Sequence, residues 1–262
     1  HAPKQLKLKS LHIRQVLDLL RRPRWLTGSV FMALAIIAQL SALALAPLIV
    51  VQPIGAIALI ITSILNARIH KIKLDPKTFL AIAITMLGVA GFVLFTATSA
   101  TQVKLDDGML LQVVGVLIAV LAVFGILFGV SKGRVGPLQY IFGAGVLYGF
   151  VASLAKVVIQ RIIQGDINWL TLLATLALAA AAILGGWFVQ NAYAAGPPDL
   201  VIAGLTVIDP AVAVGIAIVI LGEASSAAVG QVVGFGVSGL VAVLGVLMLS
   251  KVHPQLNNKQ EV

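Results

Sequence analysis

The 262 residues are 60% hydrophobic and 10% charged, against roughly a quarter charged in an ordinary soluble domain, and no water-soluble core could hide that much apolar surface. The net charge of +9 would suit a nucleic-acid binder only if Lys and Arg were gathered on one exposed face; here they punctuate apolar runs, so no nucleic-acid partner is expected. With no cysteine, a disulfide framework and a thiolate metal site are excluded.

In chain order, residues 1–24 form a basic, loosely amphipathic segment that begins with His1 and ends Arg21-Arg22-Pro23-Arg24. It reads as a cytoplasmic loop or tail, because it has neither a spanning apolar stretch nor a signal-peptide pattern. Apolar stretches then follow near 27–47, 48–67, 78–98, 109–130, 137–160, 169–195, 200–221 and 227–250. Each is long enough to span, since roughly twenty helical residues cross a hydrocarbon core of ~30 Å. The joints carry turn chemistry: Pro47, Asp75-Pro76, Asp106-Asp107-Gly108, Gly136-Pro137, Gly165-Asp166, Gly196-Pro197-Pro198-Asp199 and Gly222-Glu223. The runs are too long and too continuously apolar for barrel strands. The expected fold is therefore an all-α membrane protein, a polytopic helical bundle.

Alternating the spans from a cytoplasmic amino-terminal segment puts fifteen of the eighteen Lys and Arg residues on one side. These are the seven basic residues of 1–24, then Arg68, Lys71, Lys73, Lys77, Lys132, Arg134, Lys251 and Lys259. Lys104, Lys156 and Arg161 fall on or toward the other side. Cytoplasmic loops attract Lys and Arg, so the expected location is the plasma membrane, multi-pass, with a cytoplasmic carboxyl terminus.

Two echoes mark an internal repeat. Trp25-Leu26-Thr27 recurs as Trp169-Leu170-Thr171, and Gln52-Pro53 recurs as Asp209-Pro210. They divide the chain into a first repeat at 25–134, a second at 135–250 and a cytoplasmic tail at 251–262. The second repeat opens with the span at 137–160, which the first repeat lacks, so a ninth helix is expected before residue 1. The matching spans then run in opposite directions, as in the inverted repeats of many alternating-access carriers.

Proline inside a membrane helix frees backbone carbonyls, and matched helix breaks at Pro53 and Pro210 point to a binding site. Asp209 lies near the middle of its span, where an ionised carboxylate costs ~2.5–3.5 kcal/mol on insertion scales. It reads as a coupling site for a proton or cation or as a partner for a cationic substrate, and it is the one candidate metal ligand. The structural alternative is a neutral carboxyl or a cap on the segment broken at Pro210. Gln52 holds the corresponding place in the first repeat, with helix–helix hydrogen bonding as its alternative. Lys156 shares a helix face with Gly145, Gly149, Ala152 and Gln160, and either contacts substrate or snorkels to the interface. Tyr148 and Asn66 complete the candidate substrate- or ion-binding set.

Trp187, Gln190, Asn191 and Tyr193 form an interface belt or, alternatively, a cytoplasmic gate. Asp106-Asp107 reads as a solvated turn. The glycine pairs Gly125/Gly129, Gly145/Gly149 and Gly230/Gly234 are small faces that let helices approach, a homodimer contact among them.

The stretch from Ala46-Pro47 to Pro53-Ile54-Gly55-Ala56 resembles the A-P-x-x-x-V-x-P-L-G-A segment of NIPA-like magnesium transporters, close to the EamA-like branch of the drug/metabolite transporter superfamily. Asp209-Pro210 through Gly222-Glu223 is similar to the second-half ending of many bacterial members. Where many members carry an acidic first-half ending, this chain has Asn66-Ala67-Arg68. The resemblance implies a bundle of two inverted repeats that moves a small solute or cation through the bilayer.

The expected function is a secondary transporter or exporter of small polar or amphipathic metabolites, working by alternating access around a central cavity; the alternative is a magnesium ion transporter. Neither needs a cofactor beyond a coupling proton or cation. An enzyme is not expected, because no H-E-x-x-H, G-x-S-x-G or His/Asp cluster occurs in any span.

Overall fold

A computed structural model describes residues 23–69, 76–130, 135–196 and 198–252. These form eight helices: α1 (Pro23–Leu45), α2 (Leu48–Ile69), α3 (Pro76–Ala97), α4 (Asp107–Val130), α5 (Pro137–Gln164), α6 (Trp169–Ala195), α7 (Pro198–Val219) and α8 (Val229–Val252). Seven of them are long and apolar enough to cross a membrane; the other, α2, has 22 residues. Large apolar side chains stand exposed along them, Phe79 at 65% and Ile183 at 73% among them, an arrangement stable only against lipid. The protein is a polytopic helical membrane protein. The basic segment before Pro23, the expected ninth helix, the tail beyond Val252 and the residues Lys71, Lys73, Lys132, Arg134 and Lys259, expected on the cytoplasmic side, lie outside the described residues.

The chain forms two compact units, 1–42 and 43–262. The described part of the first is the body of α1, whose side chains, such as Phe31 and Met32, are largely exposed. The second holds the end of α1 and all the other helices. Within it α3 packs on α8, α5 on α6 and α7, and α2 on α3 and α7.

Glycine makes the closest of these approaches possible. A Cβ on Gly145 would lie 2.6 Å from the Ile208 Cβ, and one on Gly149 2.6 Å from the Val212 Cβ, so α5 and α7 meet almost backbone to backbone. Gly234 meets the Phe95 ring in the same way across α8 and α3, whereas Gly125 and Gly129 on α4 have nothing within 4 Å.

The helices run on through both prolines. Pro53 lies inside α2 and Pro210 inside α7, so the breaks expected at these two positions are absent. Each ring removes one N–H from the ladder, and in a bundle neighbouring elements can satisfy the carbonyl left over. In the first half the interruption lies six residues before Pro53, where Ala46-Pro47 separates α1 from α2.

Candidate functional site

The interruption at Ala46-Pro47 leaves the last carbonyls of α1 and the first amides of α2 without helical partners. Side chains from distant parts of the chain supply them, all buried except Gln102. The Lys156 ammonium, on α5, donates to the Leu43 and Ala46 carbonyl oxygens, both at 2.7 Å. Gln160 Nε2, one turn on, donates to the Ala44 carbonyl at 3.0 Å, and Gln102 Nε2 donates to the Leu45 carbonyl at 2.6 Å. On the other side of the break, the Glu223 carboxylate accepts from the Leu48 N–H at 2.9 Å and the Ile49 N–H at 2.8 Å.

The signs suit the helix ends, cation at a carboxyl end and anion at an amino end. Gly222 aims the acid: at φ 65° it holds a left-handed turn that favours glycine, and Glu223 N–H returns to the Ala217 carbonyl. Lys156 is 3% exposed and Glu223 2%. Burial pushes the Glu223 carboxyl above the usual carboxylate range, opposed by the Ile49 and Leu48 N–H groups and by the Lys156 ammonium. Lys156 therefore does not snorkel to the interface; its ammonium is held by backbone.

The residues before Pro53 and Pro210 are the reverse case. Asp209 Oδ1 and Gln52 Nε2 are both buried without a hydrogen-bond partner among the described residues. Such groups normally find partners, because a bare buried polar atom costs about 1–3 kcal/mol. The Asp209 backbone lies against Gly145 and Gly149 of α5, the helix that also carries Tyr148, a partly buried residue whose hydroxyl would stand 4.0 Å from a Cβ on Gly186 of α6. Asn66 lies in α2, with its side chain outside the described residues.

A cavity of about 330 Å³ lies between α2, α3, α7 and α8. Pro53 and Pro210 both line it; the side chains of Gln52 and Asp209, one residue earlier in each helix, are not part of the lining. Thr206 is its one polar side chain, and the Thr206 hydroxyl is already bonded to the Ile202 carbonyl. The cavity wall is thus apolar; of the unpartnered buried polar atoms in the helices that form it, Gln52 Nε2 and Asp209 Oδ1 each belong to the residue before a proline, and the third is Thr78 Oγ1 at the start of α3. Among the described residues no group of three or more His, Asp or Glu stands together as a metal cage.

Sequence reasoning assigned Glu223 no site role, and missed Arg161 and Asp107 as partners. The Arg161 guanidinium, 2% exposed, donates to Asp107 Oδ1 at 2.7 Å and to the Thr171 hydroxyl at 3.1 Å, tying α4, α5 and α6 together. The expected solvated turn at Asp106-Asp107 is thus in part a staple, while Asp106 Oδ1 accepts from the Met109 N–H at the start of α4. The signal available was the single Arg near the end of its span, with the acids Asp106 and Asp107 at the start of an earlier one. Trp187 joins Phe124, Phe128, Tyr140 and Phe188 in an aromatic cluster with ring centroids 5.1–6.1 Å apart.

The family described as magnesium transporter NIPA matches residues 14–255. An uncharacterised protein of Corynebacterium glutamicum is 27% identical over 250 residues, which cover 92% of this chain and 84% of that protein. No solved structure matches the chain.

Proposed function

The chain belongs to the NIPA magnesium transporter family, and from that membership and the cavity geometry we propose that it is a secondary carrier of small polar or amphipathic solutes. The observation that carries the reading is the pairing of an apolar cavity at Pro53 and Pro210 with an unpartnered polar atom one residue before each proline. An apolar wall takes the body of a solute, and a few placed polar groups fix its orientation. Asp209 is the group that couples to a proton or cation, Gln52 and Tyr148 assist it, and Asn66 remains a candidate contact on α2.

Alternating access follows from two inverted repeats, 25–134 and 135–250. The helices that the repeat pairs are packed on one another, α2 on α7 and α3 on α8, which is what an axis running between counterparts requires. The plasma membrane and a cytoplasmic carboxyl terminus follow from the distribution of Lys and Arg. A homodimer contact is read on α4, where Gly125 and Gly129 meet open space.

A second reading is favoured by the family itself: transport of Mg²⁺. Magnesium keeps several of its waters and is held by one or two carboxylates, so the Asp209 carboxylate suits a hydrated ion, accepting from its bound waters.

Purified full-length protein in liposomes separates the two readings. Entrapped Mg²⁺-sensitive dye reports ion flux, and a thermal-shift panel of amphipathic metabolites reports binding through a raised midpoint. Metabolite-dependent shifts without Mg²⁺ flux support the first reading, and Mg²⁺ flux lost in Asp209→Asn supports the second. Neither response in protein shown to be folded rejects both.

A further inference from the structure

The α1–α2 break is held by opposite charges that come from the second half of the chain. Lys156 grips the carbonyl side and Glu223 the amide side. Both are buried, and each directs its hydrogen bonds at the backbone. Two desolvated charges are an expensive way to cap a helix end that Ser or Asn could cap at an exposed site. What the charges provide is linkage across the bundle. Glu223 lies thirteen residues beyond Pro210, and the amides it holds are four and three residues before Gln52. Lys156 lies seven residues beyond Gly149, on which Val212 and Asp209 pack. Any movement of α5 or α7 that shifts Asp209 therefore pulls on the start of α2, and with it on Pro53 in the cavity wall.

We propose that Lys156 and Glu223 form the latch of a gate at this end of the transport path: they hold the start of α2 shut against the second half, and the cavity opens at this end when they release it. Lys156 and Glu223 are positioning residues; the latch acts through α2 and touches no solute. The inference rests on the carrier reading for its meaning. Its test does not require flux.

The chain has no cysteine, so a single probe can be placed at Val51, a 6%-exposed residue one turn into α2. Val51→Cys is close to volume-conserving and leaves every bond of the break in place. In liposomes of phosphatidylcholine and phosphatidylglycerol, a small maleimide should label position 51 slowly. Adding Glu223→Gln or Lys156→Met should speed labelling about tenfold or more, as a decade shift toward an open state would. Lys156→Arg, which keeps a cation with several donors, should label near the parent rate.

Equal rates in all four proteins, each monodisperse and folded, overturn the latch. So does Lys156→Arg labelling as fast as Lys156→Met, since shape and not charge would then hold the break. If Glu223→Gln does not fold, the Lys156→Met and Lys156→Arg pair decides alone. Altered labelling without solute or Mg²⁺ flux keeps the latch and removes the carrier reading; unchanged labelling with intact flux does the opposite.

Discussion

The break at Ala46-Pro47 and the prolines at 53 and 210 present the same physical problem with opposite outcomes. Both are places where a membrane helix loses backbone hydrogen bonds. At Ala46-Pro47 four successive carbonyls and two amides are met by Lys156, Gln160, Gln102 and Glu223. At the prolines the helices continue, and the neighbouring polar atoms Gln52 Nε2 and Asp209 Oδ1 are unpartnered. A fully satisfied polar cluster specifies structure, whereas an unsatisfied one keeps capacity for a guest. The contrast separates groups that hold the fold from groups free to meet a solute.

The sharpest way to break the comparison is Glu223→Ala. It strips two buried amides of their acceptor, and each buried polar group left without a partner costs about 1–3 kcal/mol. The thermal midpoint in detergent should fall steeply; a midpoint within a degree or two of the parent would show that the break does not depend on the acid.

Asp209→Asn should behave the opposite way. Flux in liposomes should drop about a hundredfold, the equivalent of roughly 2.7 kcal/mol. The midpoint should stay level or rise, because the amide keeps the shape without a desolvated charge. A destabilised protein would place Asp209 with the structural groups.

Gly145→Leu tests whether the α5–α7 approach sets the site. Its Cβ alone would meet Ile208 at 2.6 Å, and overpacking costs about 1–3 kcal/mol. Chemical denaturation should show that loss together with weaker solute-induced stabilisation, as α7 and Asp209 are displaced from Tyr148. Unchanged solute response would uncouple the helix crossing from the site.

The smallest effect is expected for Asp107→Asn. The acid is 60% exposed although its partner Arg161 is buried, and ion pairs open to solvent contribute about 0–1 kcal/mol. A loss above ~2 kcal/mol by the same measurement would extend the fully satisfied class to the α4–α5–α6 staple.

By itself the sequence determined the solvent, the spans and the class of fold. A hydrocarbon core demands about twenty apolar residues per crossing and full backbone hydrogen bonding, so composition and run length leave little choice; seven of the eight expected spans are helices that meet that requirement, with ends shifted by a few residues, and the eighth is α2. The family was legible too, in the residues from Ala46 to Ala56, because a glycine- and proline-bearing stretch is constrained point by point. Only the tertiary structure decided which polar residues are already engaged. Lys156 and Asp209 look alike in sequence, each a charge in an apolar run; partners more than a hundred residues from Lys156 occupy its ammonium, while one oxygen of Asp209 stays open. It also moved the helix break from Pro53 to Pro47, where Lys156, Gln160, Gln102 and Glu223, brought there by the fold, meet the backbone groups that the interruption leaves free.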